Sequence, residues 1–213
     1  MSDPAGLRAN YARSHLDEAD IADTWLAQLR TWFDAAVADP AIVEANAMQL
    51  ATADAQGRPS VRTVLAKGID AGGIVFYTNY TSAKARDLAE NPRAALVLVW
   101  TAHQRQVRLS GTVSKVDRAE TEAYFASRPR ESQIGAWASP QSEVVESRAV
   151  LDRLAAETEA RFAGAQVPAP PHWGGYRLAP DEVEFWQGRV GRLHDRIRFR
   201  RTDGDWVVER LAP

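Results

Sequence analysis

From Asn46 onward the hydrophobic period shortens towards two, and turn residues interrupt it at close intervals. Residues 48–53 read as a strand, Asp54-Ala55-Gln56-Gly57 as a turn and residues 60–67 as a second strand, which predicts a hairpin. A glycine-rich turn then leads to a strand over 74–78. Residues 93–101 read as an apolar strand buried on both faces, and 105–116 alternate cleanly. Further strands are expected over 182–187, along the basic stretch 192–200, and over 206–211 after an Asp203-Gly204 turn. Tight turns reverse the chain, so the sheet should be mainly antiparallel. Roughly seven short strands with three or four interspersed helices predict an α+β barrel, closed or nearly so, rather than a doubly wound fold.

The helices are read from apolar stripes and caps. Asp23 can cap a helix in which Trp25, Leu26, Leu29, Trp32, Phe33, Ala36 and Val37 share a stripe, ended by Asp39-Pro40. Thr81 or Ser82 caps a short helix that Asn91-Pro92 stops, and Asp117 with Glu120 forms a capping box before Tyr124 and Phe125. Residues 127–137 read as a loop, Gln141 and Ser142 open a longer helix to about Phe162, and 164–175 read as a proline-rich loop. Residues 1–20, polar and without periodicity, are expected to be a mobile segment, and 21–213 a single domain with no linker.

Composition narrows the chemistry. With 26 Lys and Arg against 28 Asp and Glu, a broad nucleic-acid or membrane footprint is not expected, so any anion site must be local. There is no cysteine, and the histidines at 15, 103, 172 and 194 show no metal-ligand spacing, so no metal is predicted. G-x-G-x-x-G after a strand, G-x-x-x-x-G-K-[ST] and G-x-S-x-G are all absent. Redox or group-transfer chemistry would therefore need an organic cofactor. No apolar run reaches the length of a membrane span and the polar start lacks a signal-peptide core, so a cytoplasmic location is expected.

The cations stand in separate clusters. On a regular strand Arg62 and Lys67 have opposite parity and would serve two anions more easily than one. Lys84, in the first turn of its helix, opposes the helix dipole unless an anion sits there; a surface lysine without a role is the alternative. Arg128, Arg130 and Ser132 surround a rigid proline and lack evident structural employment. If 192–200 is one strand, Arg192, His194, Arg196, Arg198 and Arg200 form a column with a spacing of about 7 Å. Either a nearby anion or solvent, on an edge strand protected by its charges, would accommodate it.

Nine ordered motifs carry a resemblance: R-T-V-L-A-K (62–67), F-Y-T-N (76–79), R-Q-V (105–107), Y-F-A-S-R-P-R-E-S-Q-I-G-A-W (124–137), Q-S (141–142), H-W-G-G-Y-R (172–177), E-F-W-Q-G (184–188), R-L-H-D-R (192–196) and the terminal E-R-L-A-P. Together they closely resemble the pyridoxine/pyridoxamine 5′-phosphate oxidase family. The resemblance implies a homodimeric split β-barrel of the FMN-binding type, with FMN at the subunit interface. It implies oxidation of pyridoxine or pyridoxamine 5′-phosphate to pyridoxal 5′-phosphate, with oxygen as acceptor. Carried over by motif, FMN would be held by Arg62, Thr63, Val64, Leu65, Ala66, Lys67, Tyr77, Thr78, Lys84, Gln106, Gln141, Ser142, Trp186 and Arg196. The substrate phosphate would lie against Lys67, Tyr124, Arg128 and Ser132. Arg192 and His194 would flank the substrate ring as catalytic groups, and Arg8 with Tyr11 resembles a segment that covers the site. Where the family commonly reads S-R-K-A, this chain has Ser82-Ala83-Lys84-Ala85, so one cation is missing and Arg86 is the candidate to replace it. The resemblance leaves two alternatives: another flavin oxidoreductase of the same barrel, and a non-catalytic binder of flavin or B6 phosphate.

Overall fold

A computed structural model describes Tyr11 and residues 14–213. Its described residues form nine strands and five helices, and the chain divides into two compact units. The first comprises residues through Leu50 with Ala95–Gly111 and Pro180–Pro213; the second comprises Ala51–Ala94 and Thr112–Ala179. The strands are β1 (Ala47–Ala53), β2 (Pro59–Leu65), β3 (Gly68–Asp70), β4 (Gly73–Asn79), β5 (Arg93–Trp100), β6 (Arg105–Lys115), β7 (Trp173–Gln187), β8 (Asp195–Thr202) and β9 (Asp205–Arg210). They belong to one sheet in the order β2-β1-β5-β6-β7-β4-β3, with β8 beside β7 and β9 beside β8. The pairs β3–β4, β4–β7, β7–β8 and β8–β9 are antiparallel.

In the first unit, helix α1 (Trp25–Ala38) packs the expected stripe: Trp25, Leu29, Trp32 and Ala36 are buried, while Val37 faces solvent. Its cap is Thr24, whose Oγ1 accepts from Ala27 N–H at 3.2 Å, and not Asp23. The Trp32 ring meets Phe185 edge-on at 5.4 Å, and the Trp100 indole donates to Ala45 O at 2.9 Å, so burial of that ring leaves no orphaned N–H. Full burial of a side chain such as Leu29 stabilises by about 2 kcal/mol. Ile197 and Phe199 of β8 point inward, as alternation requires.

The second unit holds α2 (Ala83–Glu90), α3 (Arg118–Ala126), α4 (Arg130–Ala138) and α5 (Arg148–Arg161). The Asp54–Gly57 turn closes through Gly57 N–H to Asp54 O at 2.9 Å, with Gly57 at φ +76°. The Asp117 carboxylate accepts from Glu120 N–H at 2.6 Å, as the capping box predicts. Phe125, Ile134, Phe162, Val167, Ala169 and Trp173 form the buried cluster between these helices and β7.

Several expectations are corrected. Residues 130–138 are helix α4 and not loop, because Pro129 sits at the N-cap, where its missing N–H costs nothing. The later helix begins at Arg148 and not at Gln141; Ser142 has φ +73°, which a helix does not admit. Strand β7 starts at Trp173, inside the expected loop, since Gly174 and Gly175 serve close packing and not a turn. Strand β5 alternates in burial; its outward residues Ala95, Val97 and Val99 are apolar as well, which hid the alternation. Strand β8 begins only at Asp195, and Arg192 lies in a 3₁₀ turn at φ +64°. Among the described residues no helix is long and apolar enough to cross a membrane.

Candidate functional site

A cavity of about 600 Å³ opens in the second unit. Of the residues expected to bind cofactor or substrate, Arg62, Thr63, Val64, Leu65, Lys67, Tyr77, Thr78, Lys84, Tyr124, Arg128, Ser132 and Gln141 line it. Ser127 and Pro129, which the sequence did not single out, complete the wall; the Ser127 hydroxyl donates to Tyr124 O at 2.7 Å and so closes the end of α3. Arg62 and Lys67 share this cavity despite their opposite parity. Strand β2 ends at Leu65, and the chain turns so that Lys67 N–H donates to Val75 O at 2.8 Å. Ala66 is buried behind the wall, and Ser142 is exposed next to Gln141.

The electrostatics of the cavity are unbalanced. Lys84 is 8% exposed, and its ammonium donates to Thr78 Oγ1 at 3.1 Å, Ser82 Oγ at 3.4 Å and Gln141 Oε1 at 3.5 Å. All three acceptors are neutral. Burial, and then the charge of Arg62, depress the pKa of Lys84 below the ordinary lysine value. Arg62 differs: it donates to Thr52 Oγ1 and Ser60 Oγ at 2.6 Å each and lies 3.7 Å from the Asp87 carboxylate. Among the described residues Lys67 and Arg128 have no carboxylate partner, and Arg128 Nη1 is buried without a hydrogen bond. Desolvation accordingly lowers the pKa of Arg128. Cations held in this way are stabilised by an arriving anion, and Thr78, Tyr124 and Ser132 add hydroxyl groups of the kind phosphate oxygens accept from.

Two neighbouring arginines do not contribute as expected. Arg130 is employed structurally, donating to Glu159 Oε1 at 2.8 Å, Phe162 O at 2.8 Å and Ala165 O at 3.0 Å. Arg86 donates to Thr81 O at 2.6 Å and Glu143 at 2.9 Å, and does not line the cavity, so the place of the missing cation at Ala83 is not taken by Arg86.

The first unit holds Tyr11, Gln106, Trp186, Arg192, His194 and Arg196 of the expected set. Gln106, Trp186 and Arg196 line a cavity of about 250 Å³ together with Arg108, Glu184 and Pro213. The His194 ring lies 4.6 Å from Trp186, and Tyr11 meets Trp186 at 5.9 Å and His194 at 5.8 Å. His194 Nδ1 accepts from Arg189 N–H at 3.1 Å, which in the neutral ring leaves the proton on Nε2. Arg192 is exposed in its turn, and Arg8 lies outside the described residues.

The column of cations is neutralised by the chain itself. Arg196 pairs with Glu184, Arg198 with Glu182 and Glu209, and Arg200 with Glu209, from the flanking strands β7 and β9. The signal was present in the sequence as alternating glutamates facing alternating arginines, but their register is a tertiary fact. His15 lies 3.7 Å from Asp17 and 3.5 Å from Asp20, a surface cluster of exposed groups.

Residues 35–162 match the family model of pyridoxamine 5′-phosphate oxidase, and residues 173–213 match the pyridoxine 5′-phosphate oxidase C-terminal dimerisation region. The chain belongs to the pyridoxamine 5′-phosphate oxidase family. It is similar to pyridoxine/pyridoxamine 5′-phosphate oxidase of Saccharopolyspora erythraea, at 60% identity over 97% of this chain and 94% of the relative. It is similar also to that of Salinispora arenicola, at 57% identity over 99% and 96%. Among solved structures it resembles PhzG from Burkholderia lata in complex with tetrahydrophenazine-1-carboxylic acid, with a TM-score of 0.86 and 34% identity over 92% of this chain and 95% of that one. A pyridoxamine 5′-phosphate oxidase-related, FMN binding protein of Nostoc punctiforme, at 19% identity over 91% of this chain and 99% of that one with a TM-score of 0.71, speaks for the fold alone. The fold class is thus the α+β, mainly antiparallel split β-barrel with flanking helices that the sequence predicts.

Proposed function

We propose that this protein is an FMN-dependent oxidase that converts pyridoxine 5′-phosphate or pyridoxamine 5′-phosphate to pyridoxal 5′-phosphate. The observation that carries the reading is the cavity in which Lys67, Lys84 and Arg128 stand without carboxylate partners among the described residues. Such a donor set suits two phosphoryl groups, one from the cofactor and one from the substrate. Its lining fits FMN: Arg62, Thr78, Lys84 and Gln141 suit the flavin phosphate, while Lys67, Tyr124, Arg128 and Ser132 suit that of the substrate. Gln106, Trp186 and Arg196 are assigned to the flavin as well; the matched dimerisation region supports a homodimer, and in this reading FMN lies at its subunit interface.

When bound, FMN supplies the electron acceptor, and dioxygen as terminal acceptor leaves as hydrogen peroxide; the amine substrate also takes up water and releases ammonia. The chain's own residues then have three tasks. The cations fix the substrate through its phosphate, so that the reacting carbon is held at one place. Arg192 and His194 orient the ring, with Nε2–H of His194 as a donor and Arg192 as a fixed positive charge. Tyr11, packed on Trp186 and His194, shields that end from water.

PhzG favours one competing reading, an oxidase of a substrate without phosphate. Such an enzyme has no evident use for Lys67, Arg128 and Ser132 together. The test is an absorbance spectrum of the purified protein followed by anaerobic addition of pyridoxine 5′-phosphate. A flavin band that bleaches, and returns with hydrogen peroxide on admitting air, is expected. A yellow protein that never bleaches would favour a non-catalytic binder, and a colourless one that takes up no FMN would end the proposal.

A further inference from the structure

Arg128 poses a mechanical problem that the functional reading leaves open. A long side chain loses rotamer freedom when it is fixed in one place, and among the described residues Arg128 has neither a carboxylate nor a hydrogen-bond acceptor to fix it. Its surroundings are aromatic instead. The guanidinium carbon lies 4.6 Å from the centroid of the Trp173 ring and 5.5 Å from that of Phe125.

Trp173 is itself firmly held. It is 6% exposed, stacked on Tyr77 at 5.3 Å with 14° between the planes, and edge-on to Phe125 at 5.0 Å. At the start of β7 it pairs with Asn79 of β4, and its N–H donates to Pro170 O at 3.2 Å. A carboxylate could have anchored Arg128 only by neutralising the charge that a phosphate needs. An indole face attracts the cation through the ring quadrupole and leaves the charge whole.

We infer that Trp173 is a positioning residue: its indole face holds the Arg128 guanidinium aimed into the cavity, un-neutralised, before any ligand arrives. The inference rests on the assignment of Arg128 to the substrate phosphate made above. It gives Trp173, whose burial otherwise reads as core packing, a part in substrate affinity through another residue and without touching the substrate.

The test compares FMN-loaded wild type, Trp173→Phe and Trp173→Met, each alone and combined with Arg128→Gln. Methionine keeps apolar bulk but removes the aromatic face. Trp173→Met should raise KM for pyridoxine 5′-phosphate about tenfold with kcat and flavin content unchanged, Trp173→Phe should restore most of the affinity, and neither should add to the effect of Arg128→Gln. Loss of kcat or flavin in step with KM, or an undiminished effect beside Arg128→Gln, would assign Trp173 to packing alone and overturn the inference. A second readout needs neither turnover nor the methionine variant. The Arg128 δ-proton NMR signals should be displaced upfield by the indole in wild type and less so in Trp173→Phe; undisplaced signals in wild type overturn the inference. If wild type fails to oxidise pyridoxine 5′-phosphate, the functional reading fails, and the proton signals still decide the role of Trp173.

Discussion

Arg196 grips Glu184 with two prongs, Nε to Oε1 at 2.8 Å and Nη2 to Oε2 at 3.1 Å, on a carboxylate that is only 4% exposed. The fork of the guanidinium matches the two oxygens, and Arg108 contacts the same carboxylate from β6. This hydrogen bonding raises the pKa of Arg196 above its ordinary value. Removing the carboxylate would leave the guanidinium groups of Arg196 and Arg108 facing each other, with the Glu182 carboxylate, 3.8 Å from Arg108, remaining near them. Glu184→Ala should therefore cost about 2–4 kcal/mol of stability, towards the lower end because Arg196 keeps 25% of its side chain in water. Urea denaturation measures this; a loss under about 0.5 kcal/mol would mean that the pair behaves as a surface ion pair.

Arg128→Ala should separate the two binding tasks of the cavity. A charge-assisted hydrogen bond contributes about 1.5–3 kcal/mol, so KM for the phosphorylated substrate should rise by about 10- to 100-fold. Flavin content should stay near that of wild type. Equal losses of flavin and substrate affinity would show that Arg128 serves the cofactor and not the substrate phosphate.

Lys84 gives the flavin-free protein a pH dependence of definite sign. Burial and Arg62 depress its folded-state pKa below the ordinary 10.5, so between those two values the unfolded chain binds more protons than the folded one. Stability should consequently rise as pH climbs towards 10.5, while the buried cation exacts its full penalty at lower pH. Affinity for FMN should fall over the same window, because the group that attracts the phosphate is discharged. Lys84→Met should abolish both trends, stabilise the flavin-free protein by about 1 kcal/mol and weaken FMN binding. Superimposable stability profiles for the two proteins would remove Lys84 from the account.

Gly174 lies where the β7 backbone passes beneath Tyr80. A Cβ there would meet Tyr80 Oη at 2.1 Å, and that hydroxyl donates to Gly175 O at 3.1 Å. Gly174→Ala must displace the ring or the strand, at a cost of about 1–3 kcal/mol. Since the next residue back is Trp173, substrate KM should rise together with the loss in melting temperature. A variant of unchanged stability and KM would show that Tyr80 yields freely.

What the sequence determined is what depends on near neighbours. The Asp117–Glu120 cap, the Asp54–Gly57 turn and the Asp203-Gly204 hairpin are fixed by side chains and φ preferences within a few residues, and each stands where it was read. The motifs also fixed the family, because their order along the chain is itself the signal. Tertiary structure alone decided which charges face which. Arg130 and Arg128, two residues apart, look equivalent in sequence. One is tied down by Glu159 and two carbonyls, while the other rests on an indole with a buried nitrogen unpaired. Likewise Arg196, Arg198 and Arg200 of β8 pair with glutamates on the strands beside them. Coulomb attraction acts through space, and which distant residues come within reach is set by strand register and helix packing, which no local pattern encodes.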